Sequence, residues 1–388
     1  MGCTDAVAHD PSAPAGHLPA LRAGRKSTFQ VWPSAPAGEN PGCRTIDAGD
    51  VVRTILPLDT GNDKRKRMRL HWFAAALAAT LLHAGSALAQ YPDKPIILVV
   101  PYPPGGGADI SARLLAPVIE RHLGSNARII VTNRPGAGGE VGFSVIAEAA
   151  PDGYTIGVIT TPNVVTIPLQ RKARVTWQSY DLLGNVVDDP GTFVVPNESP
   201  IKSWADLIAA AKANPGGVSI GTTGIGSYSN IAILSLQKLA GVGFTQVPFP
   251  GTAGIRTALG GQHISMGALA AGEVKAFIDS GSPFRVLVQM TATRNPLFPD
   301  VPTLKELGYD VEASSARALA APRGLPVDVR TKLVTAIGEA VNAPEFLSKA
   351  AAAYAPVRYL TPEQFGELLK GLDVYYQKVW KETPWNEN

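Results

Sequence analysis

The stretch ILVVPYPPGGGADISARLLAPVIE, residues 97–120, decides how the chain is read. A β-branched apolar run ends in Pro103 and Pro104 and then three glycines, Gly105 to Gly107. Ala108 and Asp109 lead into apolar residues at helical spacing, which predicts a strand, a tight turn and a helix over Ile110–Leu123. Glycine at a strand-to-helix turn lets a ligand approach the main chain. The first helical turn adds N–H donors without intrahelical partners and a partial positive charge. Together they make an anion seat that needs no Lys or Arg. The plainer reading is a tight turn with Asp109 as helix cap.

A second copy of the layout, GTTGIGSYSN at Gly221–Asn230, favours the anion reading. It again runs from a strand through a glycine-rich turn into a helix. Thr222, Thr223, Gly226, Ser227 and Tyr228 are its candidate ligand residues. Tyr102, just before the first turn, is another. Three further strand ends are expected to line the same cleft. ITTPN (Ile159–Asn163) offers Thr160, Thr161 and Asn163; PFPGTAG (Pro248–Gly254) offers Pro250, Gly251 and Thr252; LAAGE (Leu269–Glu273) offers Ala270.

Other chemistries are poorly served. GGGADI has Ile110 where a dinucleotide fingerprint needs its last glycine, and no phosphate-loop lysine follows GTTGIGS. There is no G-x-S-x-G elbow. After residue 89 the chain has no Cys and two histidines, His122 and His263, so neither a zinc site nor a histidine-dependent triad is expected. His122 reads as a solvated or capping residue of the first helix, His263 as a turn residue. No close Asp/Glu pair is expected at a strand end. The expectation is no catalytic residue, no metal and no cofactor.

The first 89 residues do not read as part of the fold. KRKRMRLHWFAAALAATLLHAGSALAQ carries a basic cluster (Lys64–Arg69), an apolar run (Trp72–Leu82) and the exit Ala87-Leu88-Ala89. This is the pattern of a secretory signal peptide over 68–89, cleaved after Ala89, with Met68 as the expected start and 1–67 a misassigned or disordered leader. Residues 1–89 hold 10 Lys and Arg and 7 Asp and Glu of the chain's 35 and 32, which leaves 25 of each sign. A neutral remainder carries no electrostatic footprint for nucleic acid.

From Gln90 onward β-branched runs alternate with helical patterns, which argues for an α/β architecture with parallel sheets. Two separate strands are expected near Leu182–Val187 and Thr192–Val195. After residue 326 the pattern is helical, and those helices are expected to pack back on the first sheet. That yields two lobes, 90–193 plus 318–388 and 194–317, with a ligand in the cleft between them.

The motifs YPDKPIILVVPYPPGGGADISARLLA, VTNRPGAGGEVG, APDGYTIGV, VPFPGTAGIRTALGGQ and NPLFPDVPTLKELGY resemble those of the Bug family. These are extracytoplasmic receptors of tripartite tricarboxylate transporters, and the likeness runs in order through the chain after residue 90. It implies a two-lobed type II periplasmic binding-protein fold that closes on a small carboxylate. Its first ligand loop would be Pro104–Asp109 and its second Thr222–Ser229. It also implies a monomer, integral-membrane transporter subunits as partners and no covalent chemistry. The alternatives are a receptor coupled to a signalling kinase and an α/β enzyme working with carboxylates. Three places depart from the family pattern: Ala108 in place of a frequent hydroxyl residue, Ile264-Ser265 after GGQ, and Ala316-Arg317. Arg317 offers a partner for a second carboxylate, or else is a surface hinge arginine.

Overall fold

The computed structural model describes residues 91–385; the expected leader, signal peptide and cleavage site lie outside them. The architecture is α/β, built on a ten-stranded mixed sheet whose two halves share one long strand. In the first half, β1 (Ile96–Val100) lies between β2 (Ile129–Asn133) and β3 (Thr155–Thr160), all parallel. Helices α1 (Gly107–Leu123) and α2 (Glu140–Ala147) make the crossovers, and α3 (Asn163–Gln170) follows β3.

The long strand is β4 (Tyr180–Pro196), which replaces the two strands expected there. The two expected strands leave a break at Asp188–Gly191, but the chain stays extended through it. Pro190, which has no N–H to donate, sits where β4 changes partners. Tyr180–Pro190 pairs antiparallel with β9 (Ser314–Pro322), and Gly191–Pro196 pairs with elements of the second half.

The second half contains α4 (Trp204–Ala213), β5 (Ser219–Thr222), α5 (Tyr228–Ala240), β6 (Thr245–Pro248) and α6 (Thr252–Gly260). β7 (Met266–Ala270), α7 (Ala271–Asp279) and β8 (Phe284–Gln289) complete it. β5 pairs parallel with β6 and β7, whereas β7 and β8 flank β4 antiparallel. The expectation of parallel sheets therefore holds only for the βαβ units. β4 and β9 carry the chain between halves in opposite directions, so their pairing is antiparallel.

The tail forms α8 (Val327–Asn342), α9 (Pro344–Ala352), β10 (Val357–Leu360) and α10 (Pro362–Glu382). The four-residue β10, which adds to β4, is too short to stand out from the helical pattern around it. Leu333 and Ile337 of α8 join Leu98, Leu115 and Ile119 in one core of the first half. Phe365 and Leu369 of α10 join Phe143 and Ile159 on the other face. The tail thus packs on the first half of the sheet. In the second half Phe193 and Val195 enter one core and Val194 the other, the two-residue alternation of a strand covered on both faces. His122 is not simply solvated: its Nδ1 lies 3.0 Å from Glu339 Oε2 on α8.

Candidate ligand-binding cleft

The glycine turn ahead of α1 contains one position that demands glycine, Gly105, at φ +83°. Gly106, not Asp109, is the helix cap, and no side chain caps the turn. Asp109 stands one turn in and reaches back. Its Oδ2 accepts the Gly105 N–H at 3.0 Å, and its carboxylate takes Arg113 Nε at 2.9 Å and Asn133 Nδ2 at 2.9 Å. Burial pushes this carboxyl up, but the bonds from Arg113, Gly105 and Asn133 outweigh it and hold the pKa below the ordinary value. Asp109 therefore ties the loop to α1 and β2 and does not line the cleft.

Asp109→Ala is expected to cost about 1–2 kcal/mol in urea unfolding, because it takes the shared acceptor from three donors, on Gly105, Arg113 and Asn133. The depressed pKa makes this contribution present above the unfolded value near 3.9 and lost as pH falls below it. The gap between wild type and variant should close toward pH 3; a gap that is constant with pH would refute the assignment.

The second glycine loop, 222–229, uses most of its donors internally. Gly226 N–H donates to Asn230 Oδ1 at 2.9 Å, the Ser227 hydroxyl to Gly224 O at 2.6 Å, and Thr223 N–H to Ser229 Oγ at 3.3 Å. Gly226 O accepts from Thr166 of α3. Gly226 and Ser227 are thus tied up within the loop, Thr222 stands outside the cavity wall, and of this loop Thr223 and Tyr228 reach the cavity. Thr161 is also structural, its Oγ1 accepting the Ala316 N–H at 3.1 Å. Pro104 and Gly105 stand outside the cavity wall.

The remaining expected residues do converge. Tyr102, Gly106, Gly107, Ala108, Thr160 and Asn163 line one side of a cavity of about 100 Å³. Pro250, Gly251, Thr252, Ala270 and Arg317 line it with them. Tyr102 Oη lies 2.6 Å from Thr160 Oγ1, and burial pushes its pKa up to about 12, so the phenol is a neutral donor. Asn163 Nδ2 donates to Gly138 O at 3.0 Å.

Pro103 and Ser315 also line the cavity, as do Ala253, Gly254 and, above all, Glu273, which lie inside the expected PFPGTAG and LAAGE segments without being singled out there. Glu273 lies at the end of the LAAGE segment, in the first turn of α7. Its Oε1 accepts the Gly107 N–H at 2.7 Å and an Arg317 Nη2–H at 3.2 Å. Arg317 Nη2 is also 3.4 Å from Asp189 Oδ2, and Asp189 Oδ1 accepts the Gly272 N–H at 3.0 Å. An acidic pair is therefore present, assembled from β4 and α7. Two residues on from Val187, the cross-strand partner of Arg317, Asp189 shares its face of the sheet.

Arg317 is no surface hinge residue: it is 6% exposed. Burial alone would lower its pKa, but Glu273 and Asp189 outweigh that and raise it. Burial pushes the Asp189 carboxyl up to about 7 despite the Arg317 charge.

Two hydroxyls at the cavity have no partner among the described residues: Thr252 Oγ1 and Tyr228 Oη. Thr252 opens α6, whose cap, Gly251, contributes no side-chain bond. The amino ends of α1, α3, α5, α6 and α7 therefore reach one cavity between the halves, at Gly107, Asn163, Tyr228, Thr252 and Glu273. The ends of α1 and α7 already hold carboxylates of this chain. Among the described residues the ends of α3, α5 and α6 do not, and that of α6 has no side-chain cap.

Residues 111–364 match the profile of the tripartite tricarboxylate transporter family receptor. The chain belongs to that family. Family members of this kind are solute-binding receptors and not enzymes, which removes the α/β-enzyme alternative. This receptor is 34% identical over 300 residues to the UPF0065 protein in the gbd 5' region of Cupriavidus necator. That match covers 76% of this chain and 90% of the other. It is similar to the structure of the periplasmic binding protein BugD, with a TM-score of 0.71 and 28% identity, covering 76% of this chain and 100% of that one. It is also similar to R. palustris Rpa4515 with adipate, with a TM-score of 0.70 and 26% identity, covering 75% and 97%. These relatives support the two-lobed periplasmic binding-protein fold of the receptor.

Proposed function

We propose that this receptor works in the periplasm, closes on a small organic acid and delivers it to two integral-membrane transporter subunits. The observation that carries the reading is the α6 amino end, with Thr252 Oγ1 and Tyr228 Oη unpartnered beside it. A buried hydroxyl without a partner costs about 1–3 kcal/mol, which a bound acceptor removes. A carboxylate supplies that acceptor and also meets the orphan N–H groups of the helix end. Closure shields these contacts from water and strengthens them. The cavity of about 100 Å³ equals roughly three waters' share of liquid volume, the scale of a small acid. The adipate in the R. palustris relative agrees with this class. The reading includes a monomeric receptor, secretion through the 68–89 segment, and ligand contacts from α6, Thr223, Tyr228, Tyr102 and Asn163.

Native mass spectrometry of the purified full chain, followed by denaturation and identification of released small molecules, tests this reading. One unmodified carboxylate per chain is the expected result. If the chain emerges empty, a thermal-shift screen of carboxylates and phosphates decides. Stabilisation by phosphate esters with none by any carboxylate would overturn the ligand class.

A further inference from the structure

The second glycine loop is braced from within its own half, yet its tip is held from the other one. Gly224 is buried beside Gly138, in the turn before α2. A Cβ on Gly224 would lie 3.6 Å from Gly138 Cα, and one on Gly138 would lie 3.7 Å from Ile225 O. Thr166 of α3 donates its hydroxyl hydrogen to Gly226 O. The third contact comes from Trp385, in the segment that follows α10. Its Nε1 lies 3.4 Å from where a Cβ on Gly226 would be. Loop residues 224–226 of the second half thus sit among three separate pieces of chain that belong to, or pack on, the first.

Trp385 is 2% exposed, so nearly the whole indole is out of water. Edge contacts with Trp380, at 4.8 Å between ring centres, and Tyr376, at 6.2 Å, hold it against α10. Phe365 and Leu369 anchor α10 on the first half. Trp385 joins neither their core nor the other three. Its Nε1 has no partner among the described residues. A tryptophan that only finished a helix end would keep its N–H in water, as amphipathic rings at a surface do. A second tie runs beside it, from Lys238 Nζ of α5 to Glu382 Oε2 of α10 at 3.9 Å. Both of those side chains are more than half exposed, so that pair contributes little. The indole is the buried tie between α10 and the second half.

The loop that Trp385 covers is the one that carries Thr223 and Tyr228 to the cavity, and Gly226 lies between them. On the loop's other side, Gly138 O accepts from Asn163 Nδ2 at 3.0 Å and from Tyr102 Oη at 3.4 Å, and both of these residues line the cavity. We propose that Trp385 is a positioning residue for ligand binding, a latch that α10 lays across the 224–226 loop. It keeps Thr223 and Tyr228 at the cavity and Gly224 against Gly138, and it touches no ligand itself. Its contact with the loop exists only while the halves meet there. Losing it therefore shifts the protein toward the open arrangement by as much as the contact favoured the closed one.

The consequence for ligand rests on the receptor reading above, but the test uses no ligand, so the two can fail separately. Hydrogen–deuterium exchange of the ligand-free full chain, followed peptide by peptide in a mass spectrometer, compares wild type with Trp385→Ala. Exchange over residues 222–230 and 136–140 should quicken at least about tenfold, while residues 110–120, in the body of α1, stay as they were. Trp385→Phe, which keeps an aromatic wall against Gly226, should remain within about threefold of wild type over the same residues. A role confined to packing the end of α10 would quicken exchange in 372–382 and leave 222–230 unchanged, and that result would overturn the proposal. A Phe variant as fast as the Ala variant would also overturn it, because the aromatic wall would then not be what holds the loop. Should Trp385→Ala fail to fold, Trp385→Leu takes its place with the same expected result.

Discussion

Gly107→Val is expected to abolish ligand binding, an affinity loss of more than about a hundredfold. A Cβ at Gly107 would lie 2.4 Å from Glu273 Oε1 and 2.6 Å from both terminal nitrogens of Arg317. Real Cβ atoms do not approach that closely. These neighbours are the charged ends of side chains locked in a buried cluster, not free tips that can swing aside. Relief requires either that α7 move away from α1 or that the cluster come apart. Each outcome opens the cleft where the two halves meet and exposes the α6 seat to water. The backbone itself is not the obstacle, since Gly107 has an ordinary helical place and only space forbids the side chain. Calorimetric titration with the ligand recovered from the wild type reads the effect. Circular dichroism checks that the halves still fold, because each keeps its own cores. Binding within about threefold of wild type would mean that the α1–α7 contact is dispensable, and the cleft geometry would have to be abandoned.

Arg317→Met is expected to destabilise the protein by about 3–5 kcal/mol at pH 8, because it strands two buried carboxylates on one another. Asp189 is already pushed to about 7 by burial, with Arg317 opposing the rise. Removing the guanidinium takes away the charge that opposes the rise, so Asp189 moves further above its unfolded value near 4. The folded state then holds more protons than the unfolded state across that range, so stability falls as pH rises. The variant should recover part of its loss at pH 5, where Asp189 takes up its proton. The wild type shows the same slope more weakly, from Asp189 alone, between about pH 4 and 7. Urea unfolding of both proteins at pH 5 and pH 8 measures this. Equal losses at the two pH values would show that the cluster does not titrate in the folded state. A loss under about 1 kcal/mol would show that Arg317 does not compensate the acids.

Much of the molecule was legible in the sequence because the signals were local. The run at Ile96–Val100 and the glycines after it mark the first strand-to-helix turn without help from elsewhere. Ser203 and Asp206 form the capping box that their spacing predicts. The convergence of TTPN, PFPGT and LAAGE at one cavity also follows from strand order, since βα turns collect at the carboxyl edge of parallel strands. The second glycine loop misled because composition reports how many donors a segment has, not where they point. Its hydroxyls cap their own helix and brace their own turn. The strand break expected within Asp188–Gly191 failed for a similar reason. Pro and Gly there permit a change of pairing partner as readily as a turn, and only the neighbouring strands decide which.

Family, fold class and the glycine turn at Gly105 are thus properties of the sequence itself, because each depends on neighbours a few residues away or on long ordered motifs. The charge of the binding cleft is not. Asp189, Glu273 and Arg317 come from β4, α7 and β9, and 128 residues separate the Asp189 carboxylate from the guanidinium that faces it. Each alone reads as an ordinary surface charge. Only the packing of the sheet's two halves removes them from water together, and burial is what turns three scattered charges into one coupled cluster at the cleft wall.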